Sequence, residues 1–185
     1  EVRVVAGALE ERKFTALYGR AGRLTGVRCF SRPRDLAKYR RLIAALPDVL
    51  FESCASGGGR FDPAMLAFAP QAWTSDDTDA IERLKIQWGT SLAYPVSSMG
   101  AHVSAIPNHQ VGRTEPISTR AAVAFFGAFG YELDPAALGD DEYERVREQV
   151  RWYKRHRELF QYGRFLRLRG PDDRDGNETA WMSVA

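Results

Sequence analysis

The sequence predicts an α/β fold built from part of a (β/α)8 TIM barrel. Three observations lead there. Short apolar runs are followed at once by small residues and carboxylates, as at the strand ends that form the active rim of an α/β barrel. Val49-Leu-Phe51 leads into Glu52 and Cys54, and Gln71-Ala-Trp73 leads into Asp76, Asp77 and Asp79. Helical patterns alternate with these runs, which is the order of a βα unit. The chain has 185 residues, whereas a complete barrel typically takes roughly 250, so a partial barrel is expected.

The segment from Glu1 to Asp35 carries no readable period. Val2, Val4 and Val5 suit a strand and Glu10 to Tyr18 has weak helical character, but Gly19, Gly22 and Gly26 interrupt both. A poorly ordered leader is expected over residues 1–35, with a basic docking arm as the competing reading. Leu36, Tyr39, Leu42, Ile43 and Leu46 then recur at steps of three and four, which predicts a helix ended by Pro47. Val49 to Phe51 is a short buried strand. Asp62-Pro63 opens a helical piece that packs Met65, Leu66 and Phe68. A strand ends at Trp73. Asp79 with Glu82 reads as a capping box, and Ile81, Leu84 and Trp88 as the buried face of the helix behind it.

The stretch around Met99 is the next and last barrel strand, expected to run parallel to the two before it. Thr119 to Phe129, with Val123, Phe125 and Phe126, is a helix on the sheet. Asp140 to Phe160 is the clearest amphipathic helix: Tyr143, Val146, Val150 and Tyr153 share a face, with acids at its start and Arg155, His156 and Arg157 near its end. Phe165 to Leu168 and Thr179 to Val184 alternate as strands around a Gly-Pro-Asp-Asp turn. Helices alternating with strands thus cover residues 36–160, the expected barrel portion, and residues 161–185 carry a pair of strands.

Composition excludes several classes. The formal net charge is only +2, short of the clustered basic excess a nucleic-acid surface needs. Cys29 and Cys54 form no CxxC and no disulfide framework, so a reducing compartment, the cytoplasm, is expected. No apolar stretch approaches the roughly 18 residues of a membrane span, and no signal-peptide pattern is visible. His102 and His109 lie seven apart with no carboxylates arranged around them, so they read as structural histidines rather than metal ligands.

The chemistry concentrates in Cys54-Ala-Ser-Gly-Gly-Gly-Arg60 and in Asp76, Asp77, Asp79 and Arg83. The glycine run matches neither GxxxxGK[ST] nor GxGxxG, so a phosphate loop is excluded. It is either a tight turn or a loop whose backbone approaches a ligand closely, since glycine has no Cβ. Clustered carboxylates raise one another's pKa, which suits a general acid. They equally suit the N-terminus of a helix, and the two roles are compatible. If helix geometry already holds at Asp79, Arg83 is its i+4 partner.

The strings FESCASGGGRFDP, WTSDDTDAIERLKIQWGTSLAYPVSSMGAHVSAIPNHQVGR and GNETAWM resemble the bacterial α-galactosidases of glycoside hydrolase family 36, in order, from about Lys38 to Ala185. The resemblance implies the later half of a (β/α)8 catalytic barrel and makes residues 161–185 the start of its C-terminal β domain. It implies retaining hydrolysis of terminal α-galactosides such as melibiose or raffinose, with no cofactor, no metal, no nucleic-acid or membrane partner, and a homo-oligomer for the intact protein. By the Ser-Asp-x-x-Asp-x-x-x-Arg motif, Asp76 is implied as acid/base, with Asp79 and Arg83 as its companions at the substrate. The Cys-x-Ser-Gly-Gly-Gly loop implies galactose contacts for Cys54 and Gly57. The family's nucleophile belongs to a Lys-Trp-Asp-Met-Asn-Arg strand, and no such string occurs here. The expectation is therefore a galactosidase fragment, inactive by itself. A non-catalytic galactoside-binding remnant and a galactosyl transferase of the raffinose-synthase type are the alternatives.

Overall fold

The computed structural model describes residues 44–54, 59, 61–173 and 178–185, and the backbone of three strands before them. The chain divides into two compact units, Glu1–Asp76 and Asp77–Ala185.

The first unit opens with strands β1 (Val2–Ala8), β2 (Lys13–Arg20) and β3 (Arg23–Phe30). They form an antiparallel meander in the order β1-β2-β3. Three paired strands thus lie within the segment that the sequence reading expects to be a poorly ordered leader. The glycines that break a helical period do not break a strand pairing: the irregularity at Tyr18/Gly19 is absorbed as a register shift, and Gly26 pairs with Tyr18. The helix expected over Leu36 to Leu46 lies mostly outside the described residues, and residues 44–45 are helical. The strand expected at Val49 to Phe51 forms instead just after that run, as β4 (Glu52–Ser53), parallel to β5 (Gln71–Trp73). Glu52 faces Gln71 in that register, and its carboxylate accepts from Gln71 Nε2 at 2.6 Å. Helix α1 (Pro63–Leu66) lies between them in sequence. Asp62 caps it by accepting from Met65 N–H at 2.9 Å, and Pro63 takes the first position, where a missing N–H costs nothing.

The second unit runs α2 (Ala80–Ser91), β6 (Met99–Ser104), α3 (Ile117–Ala124), β7 (Ala128–Glu132) and α4 (Asp140–Tyr162). Strands β6 and β7 are parallel, with His102 opposite Gly130. Parallel strands alternating with helices make this the later part of a (β/α)8 barrel, as expected. Ala101, Val103, Ile117, Ala121 and Ala124 form the core between β6 and α3, with Phe125, Phe129, Tyr131, Leu133 and Val146 packed around it.

Two readings need correcting here. Phe129 is not the end of a helix. Helix α3 stops at Ala124, and Phe129 sits in β7, a strand the sequence reading missed. An unbroken apolar run gives no period by which to choose helix or strand. Gly127 permits the tight entry into β7, because a Cβ there would stand 2.6 Å from Ala101 Cβ and 2.8 Å from Met99 O. Second, the buried face of α2 is Ala80, Arg83 and Gln87, while Ile81, Leu84 and Trp88 are only half-buried. That face is polar because it meets backbone carbonyls. Arg83 Nη2 donates to Gly100 O, and Gln87 Nε2 donates to Val123 O (3.1 Å) and Phe126 O (3.2 Å) at the end of α3, where helix carbonyls lack internal donors.

Helix α4 buries Tyr153 and Phe160 and opens on Asp140, Asp141 and Glu142, but leaves Tyr143 exposed. Strands β8 (Arg164–Arg169) and β9 (Ala180–Val184) form the expected antiparallel pair. Arg167 ties this hairpin to the end of α2 through Ser91 O at 2.7 Å.

Candidate active site

In the first unit, Cys54 follows β4 directly and is half-buried, while Asp76 lies three residues past β5 with an exposed side chain. The position of Gly57 lies outside the described residues. Three residues in the wake of β5 is where a barrel presents its reactive side chains.

In the second unit, the segment after Asp76 is tied down. Asp79 is 2% exposed and caps α2, its Oδ1 accepting from Ile81 N–H and Glu82 N–H at 3.0 Å each. The other half of the expected capping box is absent in that form. Asp79 N–H donates to Asp77 Oδ1 at 3.0 Å, and the Glu82 carboxylate turns instead to Arg113 Nη2 at 3.4 Å. Nor does Arg83 answer Asp79 as an i+4 partner. Asp79 is extended, at φ −65° and ψ 129°, so helical spacing does not yet apply there. The cation on Asp79 is Arg113. Burial opposes the charge on Arg113, but the Asp79 and Glu82 carboxylates together hold its pKa above the ordinary arginine value.

Arg83 is 3% exposed. Burial pulls its guanidinium down to about 10, against the opposing pull of Asp77 and Glu132. It bonds to Gly100 O and, at 3.3 Å, to Gln87 Oε1. Arg120, also 3% exposed, donates to Ser104 O at 2.6 Å and Glu115 O at 3.0 Å, bracing the end of β6.

The loop after β6 supplies residues that sequence reasoning passed over, Asn108 and Gln110 above all. Asn108 is 3% exposed. Its Oδ1 accepts from Gln110 N–H (2.9 Å) and Val111 N–H (3.1 Å), an Asx-type turn. Gly112 closes the turn at φ +71°, a conformation that favours glycine. An Asn four residues before a Gly in a polar loop was the available signal. His109 is exposed at the tip. His102 lies on β6 with its ring over Gly130, where a Cβ would meet His102 Cδ2 at 2.7 Å. Among the described residues, no group of three His, Cys, Asp or Glu side chains is placed to hold a metal ion. No helix among them is long and apolar enough to cross a membrane.

Comparison with known proteins bears on the same residues. The family model described as Melibiase matches residues 35–163, and a second, described as Reductase C-terminal, matches residues 1–55. The α-galactosidase AgaA of Geobacillus stearothermophilus is 57% identical over 153 residues, which are 81% of this chain and 21% of that protein. The bifunctional α-galactosidase/sucrose kinase AgaSK of Mediterraneibacter gnavus is 52% identical over 145 residues, 78% of this chain and 15% of its own length. The crystal structure of the α-galactosidase from Lactobacillus brevis superposes with a TM-score of 0.77 at 59% identity, covering 80% of this chain and 20% of that one. An AgaA variant solved in complex with raffinose gives 0.75 at 52% identity, over 83% and 22%. The chain therefore spans about a fifth of the length of the curated relatives it matches.

Proposed function

The chain belongs to the melibiase family, and from that membership we propose that it carries the acid/base part of a retaining α-galactosidase acting on α-galactosyl oligosaccharides. The observation that carries the reading is Asp76. It stands exposed just past a parallel strand, within the Ser-Asp-x-x-Asp-x-x-x-Arg string.

In this reading Asp76 protonates the departing glycosidic oxygen while a carboxylate outside these 185 residues attacks the anomeric carbon. Asp76, then ionised, takes a proton from water, which releases galactose with retained configuration. The two carboxyl groups must stand about 5–5.5 Å apart for that route. By the Cys-x-Ser-Gly-Gly-Gly string, Cys54 and Gly57 are read as galactose contacts. Asp79 and Arg83 are occupied by protein groups and deeply buried, which supports a role in holding α2 rather than in touching galactose. The raffinose complex of an AgaA variant supports the substrate class. The intact galactosidase is read as a cytoplasmic homo-oligomer.

The test uses an activated aryl α-galactoside. The 185-residue chain should show no turnover, because Asp62, Asp77 and Asp79 follow the same stretch of chain as Asp76, whereas the nucleophile attacks from the opposite face of the sugar. AgaA with its matching stretch replaced by residues 35–163 should turn over, and Asp76→Asn in that chimera should lose about 100-fold or more on raffinose. Turnover by the chain alone that disappears on Asp76→Asn would mean a second carboxylate is already present.

A further inference from the structure

Thr78, two peptide bonds beyond Asp76, is held at each of its polar groups. Its N–H donates to Gln110 Oε1 at 2.9 Å, its carbonyl accepts from Ser104 Oγ at 2.9 Å, and its hydroxyl accepts from Asn108 Nδ2 at 3.1 Å. All three partners come from the end of β6 and the loop that follows. Thr78, Ser104 and Asn108 are 7%, 5% and 3% exposed, so the bonds to Ser104 and Asn108 are shielded from water and each would be costly to leave unmade, while the bond to the exposed Gln110 is part-buried.

The loop is itself closed. Asn108 N–H donates to Arg113 O and Gly112 N–H to Asn108 O, both at 2.8 Å, while Asn108 Oδ1 takes two further N–H groups. From its far end Arg113 returns to Asp79 and Glu82. A closed loop thus grips residues 78–82 from two sides. A single residue with its donor and both its acceptors engaged by one partner segment fixes the position of a backbone. Packing alone would have been met by an apolar side chain.

We propose that Asn108 and Thr78 are positioning residues for the general acid: the loop over residues 104–113 clamps the chain just after Asp76 and so sets where its carboxyl stands. This rests on the reading of Asp76 as the acid/base. The clamp acts through chain connectivity, since planar peptide bonds leave few torsions between Thr78 and Asp76. Asp77 stiffens those torsions further by accepting from Asp79 N–H. Releasing the clamp displaces the carboxyl, and a misplacement of about 1 Å costs on the order of a hundredfold in rate.

Two measurements test it. In the 185-residue chain, Asn108→Ala should speed amide exchange at Thr78 and Asp79 while leaving α4 unchanged. Unaltered exchange at those two amides overturns the proposal. In the AgaA chimera, Asp76→Asn serves as the control: it should cripple raffinose cleavage but spare the first step on an aryl galactoside whose leaving group needs no proton. Absence of that split would defeat the acid/base reading itself. With the split present, Thr78→Val and Asn108→Ala should lower kcat/KM on raffinose about a hundredfold and leave the aryl substrate untouched, while Thr78→Ser, which keeps the hydroxyl, restores raffinose. Equal losses on both substrates, or none on either, would show that the loop only stabilises the fold.

Discussion

Asp79→Ala is the perturbation whose cost can be worked most directly from the structure. The substitution removes one oxygen that accepts Ile81 N–H, Glu82 N–H and the Arg113 guanidinium. Loss of an N-cap costs about 1 kcal/mol. A hydrogen bond to a charged group contributes about 1.5–3 kcal/mol. The Arg113 side chain is 35% exposed, so water takes up part of its charge once the partner is gone, and the lower end applies. Together these amount to about 2.5 kcal/mol, or about sixtyfold in the local opening equilibrium of the first turn of α2. Asp79→Asn separates the two contributions. Asparagine caps as well as aspartate does, so only the charge is lost, worth about 1.5 kcal/mol or about tenfold. Hydrogen exchange at Ile81 and Glu82 reads both numbers, because first-turn amides exchange through local opening. An alanine variant that exchanges at the wild-type rate would refute the capping geometry. An asparagine variant as damaged as the alanine one would refute the division between cap and charge.

Two further outcomes are expected. Gly127→Ala places a Cβ 2.6 Å from Ala101 Cβ and 2.8 Å from Met99 O, so it should destabilise the β6–β7 pair by about 1–3 kcal/mol; an unchanged melting temperature would mean the strands do not approach this closely. Burial pushes the Tyr131 phenol up from 10.0 to about 12, with Arg120 working against it. The unfolded chain therefore releases this proton first, the folded state holds more protons in between, and stability falls as pH rises from 10 to about 12. Arg83, lowered to about 10 by burial, has the opposite slope in that range. The difference between wild type and Tyr131→Phe isolates the tyrosine. Urea midpoints should show the wild-type advantage from the Tyr131–Gln149 hydrogen bond shrinking across that window, and a constant difference would contradict the assignment.

The sequence by itself determined the elements whose signal is local. Asp62-Pro63 and Asp79 mark helix starts because a side-chain oxygen satisfying the first N–H groups is a short-range interaction. The amphipathic period carried Asp140 to Phe160, two residues short of the observed end at Tyr162, and alternation carried the β8–β9 hairpin. The strings around Cys54 and Asp76 carried the family resemblance, which the family model over residues 35–163 bears out. The tertiary structure decided what depends on partners far along the chain. It gave Asp79 to Arg113 rather than Arg83, turned the polar side of α2 inward because the carbonyls of β6 and α3 lie there, and made Phe129 a strand residue because Gly127 lets β7 close on β6. It also gave Thr78 and Asn108 their significance. A threonine among aspartates and an asparagine in a polar loop look ordinary in sequence, and only the fold brings them within 3.1 Å, where each leaves the other satisfied in a place water does not reach.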